Sequence, residues 1–420
     1  MTRVRVRPLL SVNRAFALGI FETVGVLGYI LGGDPLPLQI AALCLKTILL
    51  LYAISSINSS VLSRVWRLAL WPILIPFINI FVNTPSELTS ILKILAFSAN
   101  LIVTLLILNT AGLRHYFKGI ALFGAIITAV YIFQVHAGII SNHYGRYYYF
   151  NDSHPNLGSE IAAVVVVASV LTLRWVPMTI ISALAFYSIV LMQGRAALLV
   201  AFGALTIRLV IHLRAFAQKS THNLGIVLGL GILALIPLVP AMMEIGGTLL
   251  QIDDEHRGAS TGFVGRDRLW ANAFELFSQN PFFGVGASYF EAADREPVHN
   301  FYLYGLTLYG ITSLAIYASL FCAGLVAFRR NPRATMILST FLILTLFNAR
   351  FMNLNLYPFV VYVAVFSLAA LPSRQVGRYR SLDRARHPYV SHNSGRAFSS
   401  RRLHALRSHM THGPGAIPTD

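Results

Sequence analysis

A helix that crosses a bilayer needs roughly 20 consecutive apolar residues, because the hydrocarbon core offers no water to satisfy backbone groups. This chain supplies such blocks repeatedly, near 14–32, 38–57, 66–83, 87–109, 119–140, 157–173, 175–192, 195–213, 223–245, 300–328, 334–348 and 355–371. Soluble domains carry about 25% charged residues. Here the figure is 12%, with 56% hydrophobic residues and a mean hydropathy of +0.65. The expected fold class is all-α: a polytopic membrane protein of about 12 transmembrane helices. The divisions at 173–175 and 193–195 rest on the weakest breaks in the pattern.

The basic residues test this count. With the N-terminus placed in the cytoplasm, 24 of the 33 Lys and Arg fall on inside segments. Seven fall outside: Arg146, Arg195, Arg257, Arg266, Arg268, Arg295 and Arg350. Lys46 and Lys93 sit within apolar blocks. So large an inside excess supports both the count and the orientation. The formal charge of +17 is then mostly a topology signal and an attraction to anionic lipid, which argues against nucleic acid as a partner. Arg3, Arg5 and Arg7 precede the first block without a clear cleavage site, so that block is expected to be retained. Two cysteines, Cys44 and Cys322, lie in apolar blocks and offer neither a disulfide framework nor a CxxC metal site.

The polar stretch from Gly246 onward stands apart. Counting from Glu244, it holds nine of the sixteen acidic residues, and it closes on His299 and Asn300 as the next apolar block begins. Within it, Leu269, Trp270, Ala273, Phe274 and Phe277 have helical spacing, and Asn280-Pro281 ends the pattern. This predicts an amphipathic helix on the outer surface with Arg266 and Arg268 in its first turn. Positions two apart do not share a helix face, so at most one of the two arginines points into a site. Gly284 and Gly286 resemble a phosphate loop only loosely, since no strand precedes them. Asp253-Asp254-Glu255 reads as a solvated acidic turn in preference to a cation site.

All seven outside cations are arginine, whose planar fork matches phosphate oxygens two at a time. An arginine-rich composition is the plain alternative. In the loop 141–156, Arg146 is accompanied by four tyrosines, which suit either the interfacial aromatic belt or a sugar-stacking surface. Asn156 is expected to cap the helix that follows Pro155. Arg195 opens a helix after the short turn Gln193-Gly194, at head-group level, where it either snorkels to water or clamps phosphate. Glu22 and Lys46 lie at similar depth and are read as a structural ion pair, while Lys93 snorkels. From 373 to 420 the chain is basic and poor in apolar residues, a disordered cytoplasmic tail in this reading. No internal repeat is evident.

Four segments, taken together, resemble the bacterial O-antigen ligase and polymerase superfamily, which includes exopolysaccharide polymerases. They are His154–Gly158 (HPNLG), Gly194–Leu199 (GRAALL), Gly265–Trp270 (GRDRLW) with the following NPFFGVG, and His299–Ile311 (HNFYLYGLTLYGI). The resemblance spans roughly residues 150–330. It implies a glycosyltransferase of the bacterial inner membrane with both termini cytoplasmic. The organisation is then a cytoplasmic N-terminus (1–13), helices 1–9 (14–245), a periplasmic catalytic loop with short amphipathic helices (246–298), helices 10–12 (299–372) and the tail. The donor would be a glycan on polyprenyl diphosphate and the acceptor a glycan or lipid, with no cofactor and no metal. Arg195 and Arg266 would contact the diphosphate, and His299 would work on the acceptor. Arg268, Arg146 and Asn300 complete the expected substrate-binding set, Arg268 having no clear family counterpart. Asp294 and Glu296 stand where they would orient His299. Within this reading a polymerase is slightly preferred to a ligase. A flippase or polysaccharide exporter is the main alternative, and a membrane scaffold for other assembly proteins is a third.

Overall fold

A computed structural model of the chain describes residues 7–24, 36–53, 57, 59–83, 88–143, 146–150, 153–218, 266–286, 289–291, 298–347 and 356–370. The helices are α1 (Arg7–Val24), α2 (Leu36–Ala53), α3 (Ser59–Asn83), α4 (Leu88–Ala111), α5 (Leu113–His136), α6 (Pro155–Thr172), α7 (Trp175–Leu191) and α8 (Arg195–Ala217). After them come α9 (Arg266–Gln279), α10 (Phe301–Tyr309), α11 (Ser313–Arg330), α12 (Pro332–Leu338), α13 (Leu342–Phe347) and α14 (Leu356–Ala370). The expected helix at 223–245, the acidic turn 253–255, Arg257, Arg295, Arg350, Asp294, Glu296 and the tail 373–420 lie outside the described residues.

Among the described residues, six helical stretches are long and apolar enough to cross a membrane: 62–83, 91–108, 113–136, 155–172, 195–217 and 301–330. The chain is therefore an all-α protein of multi-pass membrane type. Both weak divisions in the sequence are real, with Arg174 as the N-cap of α7 and Gly194 as the N-cap of α8. Two expected blocks are not continuous helices. The first breaks at Gly310, which has φ +61°, and a 3₁₀ turn at Ser339–Phe341 interrupts the second. One short hairpin was not foreseen: β1 (Asn142–His143) pairs antiparallel with β2 (Arg146–Tyr147).

At the centre lies α6. Val164 to Val167 are completely buried, as expected for a helix apolar on every side and surrounded by others. It packs against α5, α7 and α8, helped by small residues such as Ala162, Ala163 and Ala168. Ser169 Oγ meets Ser182 Oγ of α7 at 3.0 Å, so the polar atoms of this interface satisfy each other. Elsewhere α1 and α5 cross where Gly19 and Gly119 stand, and a side chain on either would strike the other helix's backbone. The predicted ion pair is present: Lys46 Nζ lies 2.7 Å from Glu22 Oε1 and donates to Asn100 Oδ1 at 2.7 Å. Three helices, α1, α2 and α4, are thereby joined through one ammonium group, in keeping with the rule that charge at membrane depth is paired. Lys93 is exposed on α4.

Candidate functional site

The turn that presents Arg195 is braced from below. Arg146 Nε donates to the carbonyl of Met192 at 3.0 Å, and its Nη2 donates to Asn156 Oδ1 at 2.8 Å. One guanidinium thus ties the start of α6 to the end of α7, fixing the three-residue turn before Arg195. Gly194 lies so close to Ser159 of α6 that a Cβ would overlap its side chain. The N-cap of α6 is His154, not Asn156: the ring Nδ1 accepts from the backbone N–H of Asn156 at 3.2 Å. Pro155 explains the shift. It takes the first helical position, where no N–H is needed, and its predecessor is held extended, the geometry of a cap. Asn156 is then free to receive Arg146. Of the tyrosines in this loop, Tyr149 is buried against Tyr131 and Phe150 and belongs to the core.

Arg266 opens α9 and is partly buried, while Arg268 lies exposed. The two-residue offset separates them as the helical period demands. The guanidinium of Arg266 sits over the ring of Phe347, 5.5 Å from its centroid, at the end of α13. Burial pushes the Arg266 pKa down, and the nearby charge of Arg195 pushes it further in the same direction. The charge of an arginine on a helix far away in sequence is thus felt at Arg266.

His299 is reached through the same neighbourhood. One turn beyond Arg266, Trp270 Nε1 donates to the carbonyl of Val298 at 3.1 Å. Asn300 caps α10, its Oδ1 accepting from the backbone N–H groups of Tyr302 (3.0 Å) and Leu303 (3.1 Å). Its Nδ2 donates to the carbonyl of Leu346 at 3.4 Å, beside the Phe347 that meets Arg266. Held between these contacts, His299 has φ +52°, the left-handed region that costs a residue with a Cβ of order 1 kcal/mol. Strain of this kind persists where surrounding structure imposes it. The start of α9, the start of α10 and the end of α13 therefore surround one region, and Arg195 is coupled to it.

The NPFFGVG segment does not form a phosphate loop. Its amides are consumed by α10: Val285 N donates to Thr307 O at 2.9 Å and Gly286 N to Leu308 O at 3.1 Å. Trp270 was visible in the sequence as an apolar position, but its indole hydrogen bond was not. Phe347 and the carbonyl of Leu346 carried no signal, being the last residues of an ordinary apolar block.

Residues 180–318 match the family described as O-antigen ligase. The match covers about a third of the chain and agrees with the resemblance to the O-antigen ligase and polymerase superfamily carried by its motifs. It contains Arg195, Arg266, Arg268, His299 and Asn300 but begins after Arg146 and His154–Gly158. No curated protein matches the chain. The match supports a part in the assembly of surface polysaccharide.

Proposed function

We propose that this chain belongs to the O-antigen ligase and polymerase superfamily and is a glycosyltransferase that moves a glycan from a polyprenyl-diphosphate carrier to a sugar hydroxyl on the outer face of the bacterial inner membrane. The observation that carries the reading is the approach of Arg195 to Arg266 in a partly desolvated setting. Two guanidinium groups close enough to feel each other's charge suit a dianion such as a diphosphate, which can accept two forks at once. In the reaction the acceptor oxygen forms a bond to the anomeric carbon as the bond from that carbon to the phosphate oxygen breaks. The lipid diphosphate leaves with the electron pair, and the two arginines stabilise its growing charge. His299 takes the hydroxyl proton, the role for which an imidazole suits neutral pH. Direct displacement inverts the anomeric centre. A diphosphate is already a good leaving group, so the path calls on neither a metal nor a nucleotide. In this reading Arg146 and Asn300 act by holding the Arg195 turn and the start of α10.

One observation favours the flippase alternative: the helix broken at Gly310, a feature common in transporters. The backbone groups freed there are taken up by residues 281–286, whereas transporters turn such groups toward a substrate. The transferase reading is therefore preferred. Purified protein supplied with a polyprenyl-diphosphate oligosaccharide alone should give a ladder of longer products if it is a polymerase. Product that forms only after a lipid core is added identifies a ligase. Absence of product in both cases sinks the reading.

A further inference from the structure

The site is assembled on two supports. The turn that leads into Arg195 is held by the bond from Arg146 to Met192 and by the close fit of Gly194 against Ser159. Arg266 opens α9 and His299 directly precedes the cap of α10, and the two helices lie side by side. The starts of these two helices meet at Trp270 and Val298, and their ends meet where residues 280–286 touch 307–311. The pair therefore runs in one direction as a unit, with its reactive residues at one end.

The other end is fastened to α3. Asn79 is 3% exposed, and its Nδ2 donates to the carbonyl of Phe283 at 2.7 Å and to that of Leu308 at 3.3 Å. These two carbonyls come from the loop after α9 and from the last turn of α10. One helical turn further, Asn83 Nδ2 lies 3.3 Å from the carbonyls of Phe283 and Gly284. Ile311 N donates to Pro281 O at 2.7 Å and closes the same junction. A helix end leaves its last carbonyls without partners, and near a membrane those groups must be satisfied by protein. Asn79 does this for two segments at once.

We propose that Asn79 is a positioning residue: its carboxamide fixes the α9–α10 pair on α3 and so sets where Arg266 and His299 stand relative to Arg195. The proposal rests on the transferase reading. Neither donor nor acceptor is touched by Asn79. Its removal frees the far end of the pair, so that the pair as a unit can tilt and slide against α3 and carry Arg266 and His299 away from their places, and an error of about 1 Å in such an arrangement costs on the order of 100-fold in rate.

The test uses full-length protein and a polyprenyl-diphosphate oligosaccharide with acceptor. Asn79→Leu keeps the branched outline and loses both N–H donors, Asn79→Asp keeps the size and loses the amide NH2, and Asn79→Gln keeps the donors on a longer arm. Leu and Asp should lower kcat about 10- to 100-fold while the donor KM stays within about threefold. Gln should recover part of the rate. Hydrogen exchange at the amides of Val285, Gly286 and Ile311 should quicken in the Leu and Asp proteins. An active wild type with unaltered kcat in folded Asn79→Leu or Asn79→Asp overturns this proposal alone. So does a loss of rate that only follows loss of folded protein, with Gln no better than Leu. An inactive wild type overturns the transferase reading, and the positioning role with it.

Discussion

Arg195 opens α8 and Arg266 opens α9, yet the charge of Arg195 reaches Arg266 and adds to the effect of burial in lowering its pKa. Bringing like charges together costs free energy that a shared anion would offset. Arg195→Ala and Arg266→Ala should each reduce kcat/KM by about 10²–10³-fold, the range for loss of one charge-stabilising donor. The double variant should lose less than the product of the two, because each arginine works on the same diphosphate. Arg266→Lys should recover little, since a point charge replaces a fork and the contact with Phe347 is weakened. Steady-state kinetics on the four proteins checks this; strictly multiplicative effects would separate the two residues' roles.

His299 allows backbone and side chain to be tested apart. Glycine adopts φ +52° without penalty, whereas alanine does not. His299→Gly should therefore melt higher than His299→Ala, by an amount corresponding to about 1 kcal/mol. If the imidazole is the base, both variants lose transfer equally. Thermal melting and product assay on the pair decide it. Activity retained in the glycine protein would reassign the residue to a structural role.

Much of this arrangement was legible in the sequence, for identifiable reasons. The helices follow from the length of apolar runs, and Glu22 finds Lys46 because equal depth and opposite charge leave little choice. Arg266 parts from Arg268 because the helical period fixes their faces. What stayed hidden depends on contacts between distant segments. Gly310 sits in an apolar run that looks unbroken, and the break is tolerated because residues 281–286 supply hydrogen bonds from outside it. Arg146 has the composition of a ligand-binding arginine, and only the nearness of Met192 and Asn156 reveals what it holds. Asn79 lies in a helix without any motif.

The buried pair in α1 and α2 should behave as a unit. Lys46 is 1% and Glu22 5% exposed, so removing one partner strands a charge. Glu22→Leu or Lys46→Met should each cost about 3–5 kcal/mol, and the double replacement should come close to neutral. Asn100 keeps Thr104 Oγ1 within 3.4 Å in the double variant, which softens the loss of Lys46. Melting temperatures of the three proteins test this. Transfer activity at a permissive temperature should persist in the double variant, as the pair joins helices rather than meeting substrate.

Gly310 carries the last expectation. Its φ is +61°, and a Cβ there would lie 2.5 Å from the carbonyl of Phe282. Both the backbone and the docking of residues 281–286 oppose a side chain. Gly310→Ala should therefore destabilise by more than about 1 kcal/mol and speed exchange at Val285 and Gly286. Gly324, inside α11, is the control, since nothing lies within 4 Å of its Cβ position. Gly324→Ala should be neutral or stabilising by about 0.5–1 kcal/mol, as expected for an open helical position. If the two substitutions behave alike, the junction between the α9–α10 pair and the broken helix does not have the tight geometry that holds Arg266 and His299 in place.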